Sequence, residues 1–426
     1  GIFPQYSSAV AMKGYGLYVY LRINSNKLVF NKLNCFICIR LSNANKVQTI
    51  NPEIMNKTTR LLGGLLIAAI ATSCGTGGKN QPAQTTDPLA NSPVVGQYVQ
   101  VGDDQVMSCD QKLLGDTVRI PLSHFAEEME IVKLDSRDEA LVGQTAITVS
   151  DNYLLAHSGY PPTAFKLFDR KGNYIAEIGG IGQGPNEYTS VYDAQIDELN
   201  QRIYLMPSQS DKLLVFDMQG KVLEPIPLGY RCPKARFYVD PVKGTITIAT
   251  LPWSKTPAIV WIQDRTGKHL QEIEPGHLKV EHDTFNQEIM YSPTLPDVFN
   301  LCLFSMFPPQ VDTLYQYDTE RNRLKPVFTF NHTITDPVPW HGYFEWPDHF
   351  VGEFSEPPVE RKTEESWTFT QGETFSYIID KKSGKGAYLK LYNDYLGNQD
   401  IQFPDGIFNK GYFVRSIEPG NLLTDI

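Results

Sequence analysis

Residues 164–178 read Ala164-Phe-Lys-Leu-Phe-Asp169-Arg-Lys-Gly172-Asn-Tyr-Ile-Ala-Glu-Ile178. Apolar and polar residues alternate on both sides of a short polar segment, which is the pattern of two β-strands that each bury one face. Asp169 and Gly172 bound that segment, and glycine accepts the positive φ that a tight turn between antiparallel strands requires. The stretch therefore predicts a β-hairpin.

The same pattern recurs four more times along the chain. The further copies centre on Asp217-Met-Gln-Gly220, Asp264-Arg-Thr-Gly267, Asp318-Thr-Glu-Arg-Asn-Arg and Asp380-Lys-Lys-Ser-Gly384, of which the third lacks the glycine. Their aspartates follow one another at 48, 47, 54 and 62 residues, near the ~40–50 residues that a four-stranded propeller blade occupies. A second pair of strands precedes the hairpins, as at 146–155, 194–205 and 237–248. The repeat predicts five blades.

The two ends of the chain supply strands for one further blade. Residues 406–417 read as an inner strand pair with no hairpin after it, and residues 118–122 and 129–134 read as strands with no pair before them. Joining the ends closes a ring, which removes exposed sheet edges. We therefore expect an all-β fold, a six-bladed β-propeller with four-stranded blades over residues 100–426, whose last blade is closed by N- and C-terminal strands.

A glycine-rich motif follows the first hairpin. It reads Ile178-Gly-Gly-Ile-Gly182-Gln-Gly184-Pro185-Asn-Glu187-Tyr188. A phosphate-binding loop would need a strand–turn–helix setting and a following Lys-Ser/Thr, and neither is present. The motif is better interpreted as a structural turn, in which Gly182 and Gly184 allow an unusual backbone path, Pro185 stiffens it, and Glu187 caps neighbouring amides.

This junction resembles that of a family of six-bladed, NHL-like β-propeller lipoproteins of Bacteroidetes-type bacteria. The usual junction of that family reads Gly-basic-Gly-Pro-Gly-Glu-Tyr/Phe. Here Gln183 and Asn186 replace the basic residue and the third glycine, and asparagine also tolerates positive φ. The resemblance implies the fold and an envelope location, and it brings no established catalytic residues.

The N-terminal part has the features of an export signal. Residues 55–60 are basic, residues 61–71 are apolar, and Thr72-Ser73-Cys74 follows. An apolar run of this length fits a secretory signal peptide and is too short to span a bilayer, which takes ~20 residues. Because signal peptides work from the N-terminus, we expect Met55 to be the start and residues 1–54 to be non-native upstream translation. The alternative is a genuine N-terminal extension with an internal hydrophobic helix.

Cys74 is the expected lipidation site. Ala71-Thr72-Ser73-Cys74 resembles the bacterial lipobox, and the Gly-, Thr-, Gln-, Asn- and Pro-rich residues that follow are typical of a flexible tether, placed at 74–99. The alternative is ordinary cleavage after Ala71, which would leave Cys74 as a free thiol. These features predict a protein anchored by lipid to the outer membrane, on its periplasmic or surface side.

Charge and missing motifs exclude several function classes. After residue 73 the chain keeps 30 basic and 47 acidic residues, a formal net charge of −17, which disfavours nucleic acid as a partner because phosphate binding depends on clustered Lys and Arg. The sequence contains no zinc-protease, hydrolase-elbow or EF-hand signature. We therefore name no catalytic residue, no metal ligand and no cofactor.

One aromatic segment carries the candidate binding site. It lies in the longest interval between repeats and reads Pro337-Val-Pro-Trp340-His341-Gly-Tyr343-Phe344-Glu345-Trp346-Pro347-Asp348-His349-Phe350. Three interpretations compete: a long loop with its own small core, a ligand platform of aromatic faces and polar groups, and a metal or catalytic cluster of His341, Glu345, Asp348 and His349. The site residues of the platform hypothesis are Trp340, His341, Tyr343 and Trp346, together with Trp253 between two strand pairs.

Two functions remain open from the sequence. The first is a binding or scaffolding lipoprotein with a glycan or protein ligand at one mouth of the propeller. The second is a propeller lyase or hydrolase that acts on polysaccharide. The absence of a recognisable acid/base pair favours the first.

Overall fold

The computed structural model describes residues 18–19, 36–41, 87–142, 145–158, 162–253, 256–279, 287–291, 298–305, 313–335, 338–356, 359–362, 367–370, 372–401, 407–409 and 412–417. The expected signal peptide at 55–73 and Cys74 lie outside these residues. The compact domain begins earlier than the expected boundary at residue 100, because Leu89 is buried in a core cluster and a strand starts at Gly96.

Within the described part of the chain, six strands precede the repeats. They are β1 (Tyr18–Val19), β2 (Phe36–Leu41), β3 (Gly96–Val101), β4 (Asp104–Asp110), β5 (Gly115–Pro121) and β6 (Ala126–Val132). Helix in the described residues is limited to four single turns, Gln111–Leu113, Leu122–His124, Asp138–Ala140 and Gly276–Leu278.

The repeats form five four-stranded antiparallel blades. Blade 1 contains β7 (Thr145–Val149), β8 (Tyr153–Ser158), β9 (Phe165–Asp169) and β10 (Tyr174–Ile178). The junction motif follows as β11 (Gly180–Ile181) and β12 (Glu187–Tyr188). Blade 2 contains β13 (Val191–Asp197), β14 (Arg202–Pro207), β15 (Ser210–Asp217) and β16 (Val222–Cys232). Blade 3 contains β17 (Ala235–Val239), β18 (Ile246–Thr250), β19 (Val260–Gln263) and β20 (His269–Ile273).

Two larger sheets follow, in which strands from the N-terminal part lie outside the blade. Blade 4 contains β21 (Gln287–Tyr291), β22 (Asn300–Ser305), β23 (Leu314–Asp318) and β24 (Arg323–Asn331), and β4 and β3 extend its sheet. Blade 5 contains β25 (Trp340–Glu345), β26 (His349–Ser355), β29 (Thr374–Asp380) and β30 (Gly386–Asn393), with the separate hairpin β27 (Val359–Lys362) and β28 (Trp367–Thr370) between its middle strands. Both β31 (Gln399–Ile401) and β5 pair with β30.

Strands from both ends of the chain meet in one further sheet. β32 (Ile407–Asn409) pairs with β33 (Tyr412–Ser416), β33 pairs with β2, and β2 pairs with β6. The structure thus shows an all-β, propeller-like fold with five four-stranded blades, where the sequence predicts six. The prediction placed the strands at 118–122 and 129–134 together in the closing blade. In the structure β5 pairs with blade 5 instead, and only β6 belongs to the closing sheet.

The Asp-Gly hairpins of the repeats are confirmed in all five copies, each as the last strand pair of its blade. In the first, Asp169 Oδ1 accepts hydrogen bonds of 2.9 Å from the amides of Lys171 and Asn173, and Gly172 has a φ of 86°. In the fourth copy, which lacks the glycine, Asn322 takes the left-handed conformation with a φ of 48°. Asparagine is the residue after glycine that adopts it most easily.

The segment 338–350 is not the long loop considered in the sequence. Trp340–Glu345 and His349–Ser355 form the first strand pair of blade 5, with continuous register from Trp340–Ser355 to Glu345–Phe350. The residue count between the fourth and fifth hairpins is larger because β27 and β28 are inserted later, between β26 and β29. Among the described residues no helix is long and apolar enough to cross a membrane.

Candidate functional site

The inner strands of neighbouring blades run in the same direction, which brings their starts to one face. Asp193 Oδ2 accepts a hydrogen bond of 3.0 Å from the amide of Phe237, and Gln195 bonds both to the amide and to the carbonyl of Val239 at 2.8 Å. We call upper face the face that carries the starts of β7, β13, β17, β21 and β25. In a propeller, loops of several blades converge at such a mouth of the central channel, so it is the natural place for a ligand.

A buried ion pair joins blades 3 and 4 at the upper face. Lys234, just before β17, pairs through Nζ with Glu288 Oε1 of β21. The Lys234 side chain is 9% exposed and that of Glu288 is 30% exposed. Burial lowers the pKa of Lys234 to about 8 and raises the pKa of Glu288 to about 7, while contact between the opposite charges works against both changes. Glu288 is therefore a carboxylate at the mouth whose proton is held more tightly than usual.

Arg236 extends this charged group towards blade 2. Its guanidinium lies over the Tyr192 ring at 4.6 Å from the centroid, donates through Nη1 to the Tyr192 carbonyl at 2.7 Å, and donates through Nε to the Ile289 carbonyl at 3.3 Å. Stacking and two fixed carbonyls hold the planar cation in one orientation. Arg236 thus links three blades at the upper face.

Trp253, one of the residues of the platform hypothesis, lies on this face. It follows β18, whose last residue Thr250 pairs with Ala235 at the start of β17. The Trp253 side chain is partly buried and packs against the cluster that contains Leu251 and Ile289. One part of the indole is therefore held by the core while another part is exposed to solvent.

Trp340 and His341 also lie on the upper face, at the start of β25. Trp340 is partly exposed, whereas His341 is buried and its Nδ1 lies 2.8 Å from the Pro339 carbonyl. The His341 ring contacts His332 at 4.7 Å and Tyr343 at 5.1 Å between centroids. Burial lowers the pKa of His332 to about 3, so the His332 imidazole is neutral at pH 7.

Tyr343 and Trp346 do not belong to an exposed platform. Each is 1% exposed; Tyr343 packs edge to face on Phe328, and Trp346 packs on Phe125 at 4.8 Å between centroids. Trp346 follows the end of β25, so it lies at the opposite end of the strand from Trp340. Tyr343 and Trp346 therefore belong to the core and not to the expected binding site, because an aromatic face without solvent contact cannot stack on a ligand.

The acidic members of the alternative cluster are also separated. Glu345 is 4% exposed and accepts hydrogen bonds from Asn300 at 3.2 Å, Gln316 at 2.8 and 2.9 Å, and Lys381 at 2.8 Å. It is a satisfied structural carboxylate between blades 4 and 5. Asp348 is exposed. Among the described residues no three His, Cys, Asp or Glu side chains come together as a metal site would require.

Glu353 is a second carboxyl group with an unusual environment. It lies on β26, opposite Gly342 and Ser376, and burial raises its pKa to about 7. Its Oε2 is buried and accepts no hydrogen bond from the described residues. Burial here favours the protonated carboxyl group more than water does, because it penalises the charged form.

The junction motif forms a compact turn. Glu187 Oε2 accepts a hydrogen bond of 2.8 Å from the Gly184 amide, and the Gly182 amide donates to the Tyr188 carbonyl at 3.2 Å. A Cβ at Gly182 would lie 1.9 Å from Glu187 Oε2, so a side chain there would displace the cap. The buried Tyr188 hydroxyl donates to the Ile178 carbonyl at 2.6 Å and accepts from the Phe165 amide at 2.9 Å. Pro185 offers its carbonyl to Lys212 Nζ at 2.9 Å.

The described cysteines of the compact domain, Cys109, Cys232 and Cys302, are buried and not in disulfides. Burial raises the pKa of Cys109 and of Cys232 to about 12. Both remain thiols at neutral pH and are therefore poor nucleophiles.

Sequence reasoning missed Lys234, Arg236 and Glu288. Each stands alone in its own repeat, so no linear motif joins them. Alignment of the repeats on the hairpin aspartates would not have grouped them, because Lys234, Arg236 and Glu288 follow the preceding aspartate by 17, 19 and 24 residues.

Comparisons with known proteins find distant likenesses to solved structures and a match to one family. A structure from Bacteroides fragilis, described as a candidate exported protein, is 14% identical, with 60% of this chain and 74% of that chain covered and a TM-score of 0.40. A member of the duf4221 family from Bacteroides vulgatus is 13% identical, with 65% and 92% covered and a TM-score of 0.39. No curated protein matches the chain. The model of the family described as "Domain of unknown function (DUF4934)" matches residues 105–425, and the chain belongs to that family.

Proposed function

We propose that this protein is an exported lipoprotein, anchored to the outer membrane through Cys74, whose NHL-like propeller binds a glycan at its upper face. A protein ligand at the same face is the alternative occupant. The lipobox-like residues and the tether support the anchor, and the arrangement of the upper face supports the binding role. The closing sheet, of order β32-β33-β2-β6, supports a sixth blade that completes the ring. Its strand β2 lies ahead of the expected signal peptide, so processing at Cys74 would remove that strand and leave β33 and β6 to close the blade.

One observation carries the binding role: two partly exposed tryptophans, Trp253 and Trp340, lie on the same face as the fixed guanidinium of Arg236. Indole faces stack on the apolar faces of sugar rings. Guanidinium and carboxylate groups nearby can bond to hydroxyl or acidic substituents. A site with aromatic anchors and few convergent polar groups is what a small polar ligand requires.

The test is glycan binding by the full chain with Cys74→Ser, measured on an array and then by calorimetry for the glycans that bind. We expect Trp253→Ala and Trp340→Ala each to weaken binding at least about tenfold, which corresponds to the loss of ~1.4 kcal/mol. Leu199→Ala is the matched control, since Leu199 is 69% exposed in the turn between β13 and β14, on the opposite face. If the starting protein, Trp253→Ala, Trp340→Ala and Leu199→Ala all bind with equal affinity, the upper face is not the binding site.

An enzymatic role has one observation in its favour, the raised pKa of Glu288 beside Lys234 at the mouth. A carboxyl group with a pKa near the working pH can donate a proton to a glycosidic oxygen. The array glycans should be incubated with the protein and analysed for reducing ends and unsaturated products. Turnover that Glu288→Gln abolishes would favour the enzyme, whereas binding without products, unchanged by Glu288→Gln, would favour the binding protein.

A further inference from the structure

Strand β3 is the outermost strand of the blade 4 sheet, with order β21-β22-β23-β24-β4-β3. It pairs with β4 over six residues without a break in register, from Gly96–Cys109 to Val101–Asp104. The Val95 carbonyl accepts from the Asp110 amide at 3.1 Å. Because backbone groups alternate in direction along a strand, Gln97 and Val99 also face β4, and the amides and carbonyls of Tyr98 and Gln100 point away from the sheet.

This outer edge differs from those of the other sheets. The outer strands β10 and β20 each carry a glutamate and a bulge, β16 carries two prolines and a glutamate, β5 carries a proline and two charges, and β6 carries three glutamates. Charges, prolines and bulges are the features with which proteins block pairing at sheet edges. β3 has none of them: it reads Gly-Gln-Tyr-Val-Gln-Val.

The edge is also accessible. Tyr98 is 48% exposed and Val101 is 51% exposed. Only its beginning is covered, where Gly384 of the last hairpin accepts hydrogen bonds from the amides of Val95 and Gly96. From Tyr98 onward, no described residue pairs with the outer side of the strand.

We propose that β3 is a self-association edge, where two copies of this chain pair antiparallel through the outward groups of Tyr98 and Gln100. The charge distribution selects a second copy. The domain is strongly acidic, so most surfaces of two copies repel each other. β3 is an uncharged outer strand, and antiparallel pairing about Val99 places Tyr98 of each copy opposite Gln100 of the other, so that neutral residues face neutral residues. The two blade 4 sheets then become one continuous sheet.

The test is the mass of the full chain carrying Cys74→Ser, measured by sedimentation equilibrium up to about 100 µM, a range suited to a modest interface. We expect a dimer for this protein and for Gln100→Ala, which keeps the backbone amide. Gln100→Pro removes an amide that faces solvent rather than β4, a position where an edge strand tolerates proline, and we expect a monomer with an unchanged circular dichroism spectrum.

A monomer for the starting protein over the whole concentration range would overturn the proposal, and so would a dimer that persists in folded Gln100→Pro. If Gln100→Pro does not fold, Tyr98→Lys answers the same question, because two-fold pairing would place the two lysines close together. A dimer that persists in folded Tyr98→Lys would equally overturn it. Neither outcome depends on the ligand of the upper face.

Discussion

Trp340 and Trp346 are six residues apart, yet they differ in environment because a strand separates them. Trp346 is 1% exposed in the largest core cluster, while Trp340 is partly exposed. Trp346→Ala should lower the free energy of unfolding by about 3–5 kcal/mol, since it removes a large buried side chain and leaves a cavity. Trp340→Ala should cost only about 1 kcal/mol. Urea unfolding of both variants measures the difference, and similar losses would contradict these assignments.

His332 should make stability depend on pH. Unfolded histidine titrates near pH 6.5, and burial holds the pKa of folded His332 at about 3. Between these values only the unfolded chain takes up the proton, so the folded state loses stability as pH falls from ~6.5 towards 3, by up to about 1.4 kcal/mol per unit. His332→Phe, which keeps an aromatic ring beside Phe330 and Phe354, should reduce this loss.

The comparison between variants is necessary because carboxyl groups titrate in the same range. Glu288 and Glu353, whose pKa values burial raises to about 7, have the opposite effect and stabilise the folded state as they take up protons below pH 7. The measurement is the free energy of unfolding at pH 7 and pH 5 for the starting protein, His332→Phe and His277→Phe. His277 is exposed, and its variant should retain the original pH dependence. A dependence unchanged in His332→Phe would contradict the prediction.

At the scale of elements, the sequence predicted the hairpins, because each forms from residues that are close together in the chain. Each hairpin could be found because the aspartate, the turn residue and the alternating strands are all within ~15 residues and need no distant partner. The strand pair at 340–355 was missed as a strand pair because prolines surround it and Trp, Tyr and Phe on both of its faces obscure the alternation. Both faces are buried between neighbouring sheets, and such strands lack a polar side.

Tyr188 fixes the junction motif to blade 1. Its hydroxyl satisfies the Ile178 carbonyl at the end of blade 1 and the Phe165 amide in the same blade. Tyr188→Phe would leave both backbone groups buried without this partner, which should cost about 1–3 kcal/mol. Glu187→Ala, which removes an exposed cap on Gly184, should cost less. Thermal unfolding of the two variants provides the comparison, and a larger loss for Glu187→Ala would contradict this role of Tyr188.

At the scale of the molecule, the repeat predicted the propeller-like architecture, and the ends of the chain were harder to place. Pairing between ends depends on contacts over hundreds of residues, which no local pattern encodes. The upper face was hard to predict for the same reason, because its residues Arg236, Glu288 and Trp340 come from three repeats. Such a site follows from the ring of blades, so the sequence could indicate only its aromatic members, Trp253 and Trp340.

The anchor is the remaining property of the whole molecule, and Cys74 gives it a direct test. A diacylglyceryl group on its thiol would hold the acidic domain at a membrane that its charge alone would not favour. Cys74→Ser should move the protein from the membrane fraction to the soluble fraction after cell lysis and abolish incorporation of labelled palmitate. Cys302→Ser, which changes a buried thiol of blade 4, should leave the labelling unchanged. Cys74→Ser protein that still sediments with membranes and still carries label would show that the anchor is elsewhere.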